Sequence, residues 1–124
     1  VIVMMFLHML RVFFQGAYKK PRELNWVVGV LIFFVMLGLG FTGYLLPWDM
    51  KALFATKVGL QIAEAVPFLG PAIKTLLAGD ATIIGAQTLT RFFAIHVFFL
   101  PAALLGLLAA HFIMIRRQGI SGPL

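Results

Sequence analysis

From Trp26 to Leu46 the chain runs for 21 residues without a charged side chain. A bilayer's hydrocarbon core takes about 20 apolar residues of helix to cross, so this run is long enough to span it. Within lipid only a helix pairs every backbone N–H and C=O inside one segment, which makes the run an expected membrane-spanning α-helix. Pro47, with Trp48 and Asp49 behind it, ends the run.

Two further apolar runs flank it. The first covers Val1 to about Phe14 and stops at Gly16, ahead of Lys19-Lys20-Pro21-Arg22-Glu23. It opens inside an apolar stretch, with no basic leader before it and no small-residue cleavage site after it. It is therefore expected to be the later part of a helix and not a signal peptide. The third run, from about Leu89 to Ile115, is long enough to cross with tilt, and Pro101 inside it is expected to kink it. Gly119 and Ser121-Gly122-Pro123 then break the helix. The expected spans fall at about 1–16, 25–46 and 88–115 of a single membrane domain over 1–124.

The link over 49–87 is too long to be a turn. Pro67, Gly70, Pro71 and Gly79 divide it, and Ala52–Ala65 and Ala72–Leu77 read as short helices lying at the membrane surface.

The composition agrees with lipid as solvent. Hydrophobic residues make up 62% and charged ones 11%, against about 25% charged in a soluble domain. No cysteine is present, which excludes disulfides, iron–sulfur ligation and thioether attachment of haem within these residues. The pI near 10.4 does not point to nucleic acid, because the excess charge sits in short clusters beside apolar runs. Arg11, Lys19, Lys20, Arg22, Arg116 and Arg117 against Glu23 make a net charge of +5. Lys51, Lys57, Lys74 and Arg91 against Asp49, Glu64 and Asp80 make +1. The positive-inside rule puts the first group on the cytoplasmic side and the link on the other.

All three histidines, His8, His96 and His111, lie in apolar runs, where an ionisable side chain is a functional candidate by default. Taken singly, each also suits an interhelical hydrogen bond. Their arrangement favours cofactors. His96 and His111 are 15 residues apart, which on one helix means roughly 22 Å along the axis and about 60° around it. That is the separation of two stacked cofactors, and it is too far for one shared metal ion. His8, at the inner end of its run as His111 is of its own, supplies a facing imidazole. Two axial imidazoles close a haem iron to substrate and leave an electron carrier. The partner of His96 would lie about 14 residues before His8, ahead of Val1.

Arg91 precedes His96 by five residues and Arg116 follows His111 by five, each about 7.5 Å nearer the surface. Pairing with haem propionates and ordinary snorkelling to the interface both account for them. Gly29 and Gly43, 14 residues apart and nearly in phase, allow either a haem edge or a neighbouring helix to approach; Gly38 and Gly40 suit helix packing.

Leu7-His8 with Arg11, Lys19-Lys20-Pro21-Arg22-Glu23-Leu24, Gly43-Tyr44-Leu45-Leu46-Pro47-Trp48-Asp49, Thr88-Leu89-Thr90-Arg91-Phe92 and Ile115-Arg116-Arg117-Gln118-Gly119-Ile120-Ser121-Gly122-Pro123-Leu124 together resemble cytochrome b6. Within that family the chain is most similar to b6-type cytochrome b subunits of menaquinol–cytochrome c reductases from Bacillus-like bacteria. The resemblance implies an all-α integral membrane fold, part of a four-helix haem-binding bundle. The chain would hold the end of helix B, helices C and D, and the short surface cd helices between them.

The resemblance also implies roles. His8 and His111 ligate the inner, high-potential haem b, and His96 ligates the outer, low-potential one. Phe54, Ala55 and Val58 resemble a wall of the quinol-oxidising pocket, and Arg116 resembles a residue lining the quinone-reducing side. Arg11, Arg91, Gly29 and Gly43 complete the implied cofactor-binding set. The implied activity is transmembrane electron transfer in a quinol–cytochrome c or b6f-type reductase, coupling quinol oxidation to proton translocation. Implied partners are a Rieske iron–sulfur subunit, a c-type cytochrome subunit and a subunit IV-like chain carrying the Pro-Glu-Trp-Tyr motif, in a dimeric complex of the bacterial cytoplasmic membrane. Helix A, the first histidine of helix B and that motif are absent from these residues. Some family members carry an additional haem c on an upstream cysteine.

Two other classes share part of the pattern. A di-haem membrane anchor of another oxidoreductase would have the ligands but not the Pro47-Trp48 and Arg116–Leu124 motifs together. A transporter or assembly protein whose histidines relay protons or join helices would show no bis-histidine haem spectrum.

Overall fold

The computed structural model describes residues 1–79 and 84–122. Asp80, counted above in the charge of the link, and Pro123 and Leu124 of the C-terminal motif lie outside the described residues. Among the described residues the chain is helical, with no strand. Helix α1 covers Ile2–Phe14, α2 Glu23–Leu45, α3 Met50–Glu64, α4 Gly70–Ala78 and α5 Ala86–Ala94. A π turn over Ile95–Phe99 follows, and α6 covers Leu100–Gln118.

Among the described residues two helical stretches are long and apolar enough to cross a membrane: α2, with 23 residues, and Ala86–Gln118, with 33. Their surfaces fit that environment. Leu31, Phe34, Phe98, Leu105 and Phe112 are all exposed. In water so many exposed large apolar side chains would be a liability, whereas lipid solvates them.

The third span ends where Gly119 was expected to break it, but its irregularity lies elsewhere than expected. The helix runs to Gln118 through Arg116 and Arg117, cations that suit the negative end of the helix dipole. Gly119 stops it, with φ +74 and its N–H bonded to the Ile115 carbonyl at 2.8 Å. Glycine adopts that left-handed conformation without a steric penalty. The irregularity expected at Pro101 lies earlier, in the π turn that ends two residues before the proline. A proline supplies no N–H and crowds the carbonyl four residues back, and a wider turn at that place relieves both defects.

The chain divides into two compact units, one of Val1–Leu37 with Pro101–Leu124, the other of Gly38–Leu100. In the first, Phe6 packs on Phe33 and Tyr18 on Trp26, with ring centroids 6.3 and 5.6 Å apart. Arg22 donates from Nε to the Gly119 carbonyl at 3.2 Å and from Nη2 to the Ile120 carbonyl at 3.1 Å. The loop before α2 is thereby tied to the segment after α6.

The second unit holds a core of Leu45, Ala52, Leu60, Ala78 and Phe92, with Phe41, Leu46, Leu77 and Ile84 packed against it. Helix α3 contributes because Ala52, Thr56 and Leu60 recur every four residues and so share one face. Asp49 caps α3, accepting from the Ala52 N–H at 2.7 Å. Such a cap stabilises a helix by roughly 1 kcal/mol. Phe92 is fully buried, and its ring lies 5.5 Å from that of Phe41. Burying a side chain of this size contributes about 1.5–3 kcal/mol.

The end of α4 is satisfied twice. Thr88 donates to the Ala78 carbonyl at 2.7 Å while accepting from the Gly85 N–H. Arg91 donates from Nη1 to the Leu76 carbonyl at 2.7 Å and the Thr75 carbonyl at 3.3 Å.

Candidate haem sites

In the first unit a cavity of about 580 Å³ opens between α1, α2 and α6. His8, Met9, Trp26, Gly29, Leu108 and His111 are among its lining residues. Its volume falls in the range of cofactor pockets, about 300–1,000 Å³, and its walls are mainly apolar. His8 and His111 thus share one cavity. A Cβ built on Gly29 would stand 3.6 Å from Cε1 of His111, so α2 approaches that ring to van der Waals contact.

The Nδ1 atom of His111 and the Oδ1 atom of Asn25 are buried without a hydrogen-bond partner. Leaving a buried polar group unpaired costs about 1–3 kcal/mol. Two imidazoles on a largely apolar cavity of this size fit a bis-histidine haem. Among the described residues no group of three or more His, Cys, Asp or Glu is placed to hold a metal ion.

His96 lies in the π turn of the second unit, against α2. A Cβ built on Gly43 would stand 2.7 Å from its Cε1 and 3.3 Å from its Nε2. Any side chain at position 43 would collide with the ring. Both in-phase glycines of α2 therefore face an imidazole, which the sequence spacing anticipated only as a haem edge or a helix neighbour. Gly38 packs on Leu100, as expected of a small residue between helices, with 3.4 Å from a built Cβ to Cδ1.

The other sequence candidates are placed less centrally. Arg11 and Arg116 are exposed in the last turns of α1 and α6 and are not among the lining residues of the cavity. Arg91 is held by the carbonyls at the end of α4. Phe54, Ala55 and Val58 are exposed on α3, on the side away from Ala52, Thr56 and Leu60.

Two polar residues escaped the sequence reading. Arg22 lines the cavity but was weighed only for its charge and as part of a family motif, not as a site residue. Thr42, 3% exposed, has its hydroxyl 3.2 Å from Nδ1 of His96. Its one sequence signal is a hydroxyl immediately before Gly43 in a charge-free span.

These features define a class: an all-helical membrane protein whose histidines are set against glycines of a neighbouring span. The pattern of the family described as cytochrome b(N-terminal)/b6/petB matches residues 1–124. The chain is 90% identical over 124 residues to the menaquinol:cytochrome c reductase cytochrome b subunit of Geobacillus thermodenitrificans, covering all of this chain and 55% of that one. It is 88% identical, with the same coverage, to the subunit of that name from Bacillus subtilis. It is 50% identical over 123 residues to cytochrome b6 of Heliobacterium modesticaldum, covering 99% of this chain and 57% of that one. The chain belongs to the cytochrome b N-terminal/b6 family, and it spans about half the length of the curated relatives it matches.

Proposed function

We propose that this chain is the haem-holding part of a quinol–cytochrome c reductase subunit, passing electrons between two b-type haems across a bacterial cytoplasmic membrane. The observation that carries the reading is the shared apolar cavity of His8 and His111, with Gly29 closing on the His111 ring. A haem bound there supplies reversible one-electron exchange at its iron.

The chain's own residues do the rest. His8 and His111 would hold the inner haem through their two imidazoles, and a haem held in this way would serve as an electron carrier. His96 would supply one imidazole to the outer haem. The apolar walls exclude water, which fixes the polarity around each haem. Arg11 and Arg116 are cations that propionates could meet, with Arg116 on the quinone-reducing side, whereas Arg91 is engaged by the carbonyls at the end of α4. Phe54, Ala55 and Val58 offer a flat apolar face to a quinol.

In this reading the long link lies outside the cytoplasm and the Lys19–Glu23 loop lies inside. A Rieske iron–sulfur subunit, a c-type cytochrome and a chain with the Pro-Glu-Trp-Tyr motif complete the dimeric complex, with an additional haem c as a variation. Carrying one charge across 100 mV is worth about 2.3 kcal/mol, the energy that such a complex would store as membrane potential. The test is a reduced-minus-oxidised visible spectrum of the full-length protein in its complex. Bands of bis-histidine b-type haem, titrating in two steps, are expected; their absence would sink the proposal.

A further inference from the structure

The Thr42 hydroxyl has one proton and three neighbours: the Gly38 carbonyl at 2.8 Å, the Leu39 carbonyl at 3.4 Å and Nδ1 of His96 at 3.2 Å. The shortest contact has the distance of a good O–H···O bond, and a threonine within a helix commonly donates to the carbonyl four residues back. With its proton on the Gly38 carbonyl, Oγ1 turns a lone pair toward the ring. Nδ1 must then carry the proton of the neutral imidazole, and Nε2 keeps its lone pair. In the opposite arrangement Nδ1 would accept and Nε2 would carry the proton, which leaves nothing to bind a metal. That arrangement would also give up the 2.8 Å bond for one of 3.2 Å.

We propose that Thr42 is a positioning residue for His96: anchored on the Gly38 carbonyl, its hydroxyl holds the imidazole as the Nδ1–H tautomer with Nε2 free for iron, and sets the basicity of that ligand. Gly43 completes the arrangement, since its backbone limits the ring on the Cε1 side. The inference rests on the reading that His96 ligates a haem.

A hydrogen bond from Nδ1–H makes the imidazole a more basic ligand. A more basic ligand favours ferric iron, so the bond lowers the potential of the haem that His96 holds. Among the histidines the Thr42 hydroxyl bonds to His96, so the haem of His8 and His111 serves as an internal control.

The experiment uses the full-length protein in its assembled complex, with Thr42→Val, Thr42→Ser and His96→Leu titrated beside the unmodified protein. Valine keeps the shape and loses the hydroxyl; serine keeps the hydroxyl. In Thr42→Val the step lost in His96→Leu should move to higher potential, and that haem should dissociate about tenfold more readily. Thr42→Ser should leave the potential in place, and the other step should stay where it is in both. An unmoved step in Thr42→Val would overturn the proposal, as would an equal shift in Thr42→Ser or a parallel shift of both steps. If Thr42→Val does not assemble, Thr42→Ala is judged by the same criteria. If His96→Leu removes no haem, the ligand reading fails and this inference with it. If His96→Leu removes one and Thr42→Val is silent, only the inference fails.

Discussion

A Cβ on Gly43 would stand 2.7 Å from Cε1 of His96, whereas one on Gly29 would stand 3.6 Å from Cε1 of His111. The first distance is a collision and the second is ordinary contact, so the two in-phase glycines of α2 are unequal. Gly43→Ala should displace the His96 ring, a strain of about 1–3 kcal/mol, and lower the content of that haem. Gly29→Ala should be tolerated, because alanine is preferred to glycine in a helix by about 1 kcal/mol. Haem content by pyridine haemochrome, with a redox titration to tell the haems apart, checks the order. Equal losses would contradict it.

Arg91 separates two roles that its position in the sequence left open. Its bonds to the Leu76 and Thr75 carbonyls close the end of α4, where carbonyls otherwise lack donors. Arg91→Met keeps the stem and removes the donors. It should loosen the link by about 1 kcal/mol, read as faster amide exchange over α4, with the haem of His96 retained. Loss of that haem with unchanged exchange would identify Arg91 with a propionate instead.

What was legible in the residues follows from how local the physics is. Span α2 could be read because a charge-free run has one solution in lipid, and the 14-residue interval between Gly29 and Gly43 follows from helix geometry alone. Thr42 was not legible, since its role appears only when Gly43 brings His96 to the same turn. The destinations of Arg91 and Arg22 depend on where α4 and the segment after α6 end, which no periodicity encodes. A kink was expected at Pro101, and the π turn lies just before it, because the proline marks the fault and not the place where the backbone absorbs it.

The charge asymmetry predicts orientation. Cysteines at Lys20 and Lys74, within residues that carry no other cysteine, can be challenged in intact cells with a membrane-impermeant thiol reagent. Labelling is expected at Lys74 and not at Lys20; the reverse pattern would invert the topology.

The exposed face of α3 bears on quinol access. Ala55 lies beside Phe54 and one turn from Val58, all three exposed. Ala55→Trp in the assembled complex should obstruct quinol oxidation while both haems remain. Unchanged turnover would remove this face from the pocket.

The pairing of ligands makes the most demanding prediction. His8 and His111 line one cavity of the first unit, while His96 sits in the second unit against Thr42 and Gly43. Their spacing in sequence agrees, since 15 residues of helix correspond to roughly 22 Å, too far for His96 and His111 to serve one iron. Replacing either member of a bis-histidine pair leaves the iron with a single protein ligand. His8→Leu and His111→Leu should therefore lose the same step of the redox titration, and His96→Leu should lose the other. Leucine fills the space without leaving a buried polar group unpaired, which limits damage to the apolar surroundings. Titration of the three variants in the full complex decides the matter. If His8→Leu and His96→Leu abolish the same step, or His111→Leu spares the step lost in His8→Leu, the pairing is wrong.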